Sequence, residues 1–234
     1  MSPTLEASAD LLALGRAASE QARRIHHSRG WFACWRRLRP DGTWQGEASA
    51  ACAWVEEADL QALGGIAGAR GLGASVLVGT SLPMLAQAQS QGLRGILRLP
   101  VSADESPDEQ LRRLKQVHEQ MTVGLPVDGV APTPGENTLG IATLTLVARG
   151  RLFLPQVAHI MVDLERLGPK LGQLCLGFGA DELFGPIVSE RPPRLGEHAG
   201  SREITRQEAA QLLRGAGLRA FERVGRGQPQ EFVP

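Results

Sequence analysis

From residue 56 onward, segments of helical periodicity alternate with short apolar runs of strand length, and this constrains the fold more than any other feature of the sequence. Residues 56–70 place Leu60, Leu63, Ile66 and Ala67 on one helical face, and 74–78 follow as a buried strand closed by Gly79. Residues 82–91 predict a helix and 93–101 the next strand. Ser106, Pro107 and Glu109 then form a capping box with proline in the first turn, opening a helix with the stripe Leu111, Leu114, Val117 and Met121. A strand at 127–131 ends in the Pro- and Gly-rich turn 132–137. Residues 138–153 are apolar nearly all round, which predicts a helix covered on more than one side. Further segments follow: a strand at 157–164, a helix at 169–178 that Gly179 stops, and a short strand at 187–189. After the loop candidate 192–201, Thr205 and Glu208 make a second capping box, with Leu212 and Leu213 buried and Gly217 at the stop. Residues 218–224 close as a strand.

Helices and strands at these spacings imply right-handed βαβ units. The expected class is α/β, an incomplete (β/α) barrel or an open, mainly parallel sheet. The first third differs, with a helix over about 7–24. The segments 31–38 and 43–55 flank the turn Pro40-Asp41-Gly42 and predict a two-stranded antiparallel ribbon. This divides the chain into 1–55, helix and ribbon, and 56–234, a partial barrel.

Composition removes several functions. Formal net charge is zero, and of 25 basic residues only Lys115 and Lys170 are lysines. No global field recruits nucleic acid or anionic lipid, and the absence of tyrosine leaves few aromatics for base stacking. The start carries Glu6 and Asp10 with no basic region before an apolar run, unlike a signal peptide, and no apolar stretch approaches the roughly 18 residues of a spanning helix. Three cysteines, Cys34, Cys52 and Cys175, are an odd and widely spaced set, unsuited to a disulfide framework. A reduced, cytoplasmic protein is the expectation.

No nucleophile elbow, H-E-x-x-H or Walker loop is present, and Gly71-Leu72-Gly73 lacks the third glycine of a dinucleotide turn. The cysteines with His26 and His27 match no zinc spacing, and Cys52 and Cys175 sit among Ala and Leu as small buried residues. No metal site is expected.

Four motifs in order carry a resemblance. Gly92-Leu93-Arg94 is followed by Glu105-Ser106-Pro107-Asp108-Glu109; Pro134-Gly135-Glu136-Asn137-Thr138 comes next. Leu154-Pro155, His159-Ile160, Leu167-Gly168-Pro169-Lys170-Leu171 and 178–185 (FGADELFG) form the longest block, and 204–217 complete the series. Together they resemble the radical S-adenosylmethionine (radical SAM) enzymes of the futalosine route to menaquinone, aminofutalosine synthase and dehypoxanthine futalosine cyclase, over a little more than half the chain. The deazaflavin FO synthases share much of the pattern.

That resemblance implies a [4Fe–4S] cluster held by C-x3-C-x2-C, whose open iron coordinates S-adenosylmethionine. Here the best-matching segment, 25–36, puts Ile25, Arg29 and Phe32 at the ligand positions, with Cys34 displaced by two residues. The segment between the cluster loop and Gly92 that supplies early barrel strands in that family is also shortened. No cofactor is therefore expected. The implied function is a cluster-free paralogue acting as a non-catalytic subunit or ligand-binding accessory, with an active radical SAM relative or a second copy as partner. The alternative is an enzyme of futalosine metabolism using His159, Asp181 or Glu182 in acid–base chemistry.

Strand ends and helix starts face the ligand crevice in α/β folds. The candidate substrate-binding residues, for a nucleoside-type ligand, are accordingly Asn137, Thr138, His159, Lys170, Gln173 and Asp181. Simple capping and internal hydrogen bonding also account for Asn137, Thr138, His159 and Asp181. Lys170 opposes the dipole at a helix start, which suggests an anionic partner. Trp31, Trp35, Trp44 and Trp54 offer either a docking surface or a plug for the barrel end.

Overall fold

The structure, a computed structural model, describes residues 10–46, 50, 52–102, 105–122, 127–135, 138–190, 203–224 and 228–233. In chain order it contains α1 (Leu11–His26), β1 (Arg29–Phe32), β2 (Trp35–Leu38), β3 (Trp44–Gly46), β4 (Cys52–Glu56), α2 (Gly65–Gly71) and β5 (Val76–Gly79). Then come α3 (Leu82–Ser90), β6 (Arg94–Val101), α4 (Pro107–Thr122), β7 (Gly129–Pro134), α5 (Gly140–Phe153), β8 (His159–Asp163) and α6 (Leu164–Gly177). The last elements are β9 (Glu182–Phe184), β10 (Ile187–Val188), β11 (Ile204–Thr205), α7 (Arg206–Gly215), β12 (Arg219–Glu222) and β13 (Gln230–Glu231).

Eleven strands form one sheet in the order β13-β12-β1-β9-β8-β7-β6-β5-β4-β2-β3, and β10 pairs separately with β11. All pairings are parallel except β2 with β3 and β12 with β13. The curl of the sheet shows in one segment. β1 pairs with β9 and β12, whereas β2, two residues later, pairs with β4 at the other end of the order. Residues 29–38 therefore bring the two ends of the sheet together, and the Cys52 amide donates to the Cys34 carbonyl at 3.2 Å across the seam. This is an incomplete (β/α) barrel with one continuous hydrophobic core, from Phe32 through Val55, Ile96 and Ile160 to Phe184.

The antiparallel ribbon is present but short. Gly46 has φ 105°, and its backbone passes so close to Trp35 that an added Cβ would lie 2.9 Å from the Trp35 carbonyl oxygen, so antiparallel pairing ends there. The chain returns as β4, expected as the far end of the ribbon, which instead runs parallel between β2 and β5. The single helix expected over 56–70 is also broken. A 3-10 turn at Glu57–Asp59 and positive φ at Gly64 and Gly65 delay α2, although Leu60, Leu63 and Ile66 stay buried while Ala67 is exposed. β7 runs through Pro134, longer than the expected strand, and the expected loop at 192–201 lies outside the described residues.

Both capping boxes form. The Glu109 carboxylate accepts from the Ser106 amide at 2.7 Å, and that of Glu208 from the Thr205 amide at 2.8 Å. α5 is buried on several faces, as its apolar circumference requires, because α1, α4 and α6 all pack against it as well as the sheet. α1 approaches closely: a Cβ on Gly15 would stand 2.7 Å from the Phe178 ring, and Gly179 abuts the Ala18 backbone. Small residues at 15 and 18 permit this contact. No helix among the described residues is long and apolar enough to cross a membrane.

Candidate functional site

The curled sheet gathers charged side chains at its two ends. At the C-terminal end, where (β/α) barrels bind substrates, Arg98 of β6 is buried against Asp163, the last residue of β8, and Glu56, the last of β4. Its Nε and Nη2 donate to Asp163 Oδ2 at 3.2 and 3.0 Å, and Nη1 donates to Glu56 Oε2. Burial weakens a guanidinium's hold on its proton, but here the Glu56 hydrogen bond and the Asp163 carboxylate outweigh it, and the Arg98 pKa moves up. Arg37 extends the network to Asp59 at 3.1 Å.

Aromatic rings pack beside this network. Phe184 meets Trp35 and Trp54 edge-on, with centroids 4.9 and 5.1 Å apart, and the Arg98 guanidinium lies 5.6 Å from the Trp54 ring centre. Trp31, Trp35 and Trp54 are buried and Trp44 is half-buried. The expectation that the tryptophans form an exposed docking surface is thus corrected. A strand alternates its faces, so Trp54 on β4 and Phe184 on β9 turn toward one another once the sheet curls. A cleft of about 650 Å³ opens beside the mouth, lined by the ends of β6 and β7 and by Glu105, Glu109 and Arg113. Arg113 is paired with Glu105 at 2.8 Å.

A second cluster lies at the N-terminal end. Asp181 is fully buried; its Oδ1 accepts from the Ile160 amide at 2.8 Å and from Arg151 Nη2, and its Oδ2 lies 2.5 Å from His159 Nδ1. Burial alone would raise the Asp181 pKa, yet the His159 hydrogen bond and the charge of Arg151 bring it below the usual carboxylate range. Arg223 bridges Glu182, at 3.0 and 2.9 Å, to His159 Nε2 at 2.9 Å. His26, in the last turn of α1, stacks on His159 with centroids 5.3 Å apart, and Trp31 packs edge-on against both rings. Burial lowers the His26 pKa, against the pull of the Asp181 carboxylate.

Of the residues expected to bind substrate, the structure brings only His159 and Asp181 together. Thr138 donates to the Val101 carbonyl at 2.9 Å at the other end of the barrel, beside the cleft. Lys170 and Gln173 are exposed on α6, and Asn137 lies outside the described residues. Sequence reasoning missed Arg98 and Arg151, although each is a charge inside an apolar run and so needs a buried partner.

The thiols do not fit a [4Fe–4S] cluster. Cys34 lies between β1 and β2 with its sulfur 4.0 Å from Glu222, Cys52 opens β4, and Cys175 is on α6. Burial pushes the Cys52 and Cys175 pKa values up to about 11 and about 12, and Cys175 stands on a different element from the other two, so the three offer no single loop of ligands. The segment 25–36 that matches the cluster loop is the last turn of α1, the β1 strand and the start of β2.

No family profile matches the chain. An 85-residue stretch is 32% identical to aminodeoxyfutalosine synthase of Streptomyces coelicolor, covering 36% of this chain and 22%, about a fifth, of that protein. Methylornithine synthase (PylB) superposes with a TM-score of 0.63 at 13% identity, covering 89% of this chain and 88% of that structure. HydG, a maturase of the [FeFe]-hydrogenase, gives 0.50 at 10% identity over 74% of this chain and 60% of that one. Local identity makes part of the chain similar to a curated aminodeoxyfutalosine synthase, and the fold is an incomplete α/β barrel like that of methylornithine synthase.

Proposed function

We propose that this protein is a cluster-free radical SAM relative that serves menaquinone biosynthesis by the futalosine route as a non-catalytic, cytoplasmic subunit or ligand-binding accessory. The observation that carries this reading is the segment matching the cluster loop, whose ligand positions hold Ile25, Arg29 and Phe32, none of which can bind iron. Trp54, Phe184 and the Arg98 pair with Asp163 and Glu56 pack together toward the C-terminal end of the barrel. Cys175, on α6, stands on a different element from the neighbours Cys34 and Cys52, which agrees with this reading. A nucleoside-type ligand would sit in the cleft beside Glu105 and Arg113, and the partner would be an active radical SAM enzyme.

Acid–base catalysis by His159, Asp181 or Glu182 has less support, because these groups are tied to Arg151 and Arg223 and lie at the opposite end from the cleft. The test is to mix the purified chain with a purified aminodeoxyfutalosine synthase and follow co-elution and turnover. Co-elution with changed turnover, and no turnover by the chain alone, is the expected result. Conversion of a futalosine-type nucleoside by the chain alone would overturn the proposal.

A further inference from the structure

We propose that His26, His159 and Asp181 form a binding site for one divalent transition metal ion of the zinc class, which fastens the end of α1 to the N-terminal end of the barrel. The three residues come from separate elements, and a ligand atom from each lies within 4.8 Å of the others. His26 Nε2 has no hydrogen-bond partner, although its side chain is nine-tenths buried, and it stands 3.4 Å from Asp181 Oδ2. His159 Nδ1 approaches the same oxygen at 2.5 Å. An ion that takes nitrogen and oxygen at roughly 2.0–2.1 Å, as zinc does, would draw the three ligand atoms in around it and give His26 Nε2 the partner it lacks.

The surroundings orient the ligands. Asp181 Oδ1 is occupied by the Ile160 amide and Arg151, which leaves Oδ2 facing the imidazoles. Ion binding at Nδ1 moves the His159 proton to Nε2, so Arg223 Nη2 must give up its 2.9 Å approach to that nitrogen and keeps its bonds to Glu182 at 3.0 and 2.9 Å. Glu182 Oε2, 3.4 Å from His159 Nδ1, is the next oxygen available and helps to offset the charge of the ion. Two imidazoles and one carboxylate, with no thiolate, suit zinc, cobalt or nickel in the divalent state.

This site is separate from the mouth of the barrel, so its test is independent of the proposed function. The full chain, stripped with a chelator and dialysed, is titrated with zinc and cobalt chlorides, with metal content, Trp31 fluorescence and thermal melting as readouts. One ion per chain, a raised melting temperature and quenching of Trp31 by cobalt are expected, since that ring packs 4.8 and 4.9 Å from the two imidazoles. His26→Gln removes a nitrogen that has no partner, so the variant should fold as the wild type does in chelator. Its zinc affinity should fall by about 100-fold or more, the scale of losing a group that holds the ion. Absence of a stoichiometric ion in the wild type would overturn the proposal. Equal affinity in His26→Gln would also overturn it, by assigning the ion to His27 or His118.

Discussion

The two ends of the barrel solve the same problem, a buried arginine, in different ways. At the C-terminal end Arg98 spends all three guanidinium nitrogens on two carboxylates and lies under aromatic rings. At the N-terminal end Arg151 uses Nε and Nη2 on the Gly179 carbonyl and Asp181, and its Nη1 has no partner, like the nearby His26 Nε2. In barrel enzymes the C-terminal end carries the chemistry and the other end carries stability. Here the arginine at the end expected to react is fully paired, and the one at the end expected to be inert is not.

Arg98→Met should break the comparison most sharply. It strands Glu56 and Asp163 together, and losing one partner of a buried ionic group costs about 3–5 kcal/mol. Urea unfolding reads the loss, and a cost below about 1 kcal/mol, typical of an exposed pair, would mean that the network is solvated. Phe184→Ala comes next. It should destabilise by about 3 kcal/mol through the cavity it leaves against Trp35 and Trp54, and the same denaturation series measures it. Near-neutral stability would show that the mouth is not packed.

Arg151→Met should cost less, about 2 kcal/mol, because Asp181 keeps its bonds to the Ile160 amide and His159. If it proved costlier than Arg98→Met, the N-terminal end would be the principal ionic anchor. The last prediction concerns the thiols and appears only at high pH. Cys52 and Cys175 ionise in the unfolded chain near 9.0 but in the folded protein only near about 11 and about 12. The preference of the folded state for the protonated form is fully present below pH 9 and is lost as pH rises through the folded values. Stability should therefore decline above pH 9, and a Cys52→Ala, Cys175→Ala double variant should flatten that slope. An unchanged slope would mean that the thiols are accessible.

Local rules made much of the fold legible. Both capping boxes and the apolar stripe of α4 are short-range signals, and the all-round apolarity of α5 marked it as covered on several sides. The direction of β4 was not legible. It depends on which strand the chain meets after Gly46, and periodicity says nothing about that. The site was legible only at His159 and Asp181, two positions within one motif block. Their partners His26, Arg151 and Arg223 come from three other elements, so only closure of the sheet and docking of α1 bring them near. Arg98 carried a usable signal, a charge between Leu97 and Leu99, but its partners are 42 and 65 residues away.

The most direct test of the central claim is anaerobic reconstitution of the full chain with iron and sulfide, followed by iron quantitation and the visible spectrum, alone and with S-adenosylmethionine. Buried thiols that share no three-cysteine loop predict no stoichiometric cluster and no cleavage of S-adenosylmethionine. A [4Fe–4S] spectrum with four irons per chain, the content of one such cluster, would contradict the account and require Cys34 and Cys52 to leave their buried positions.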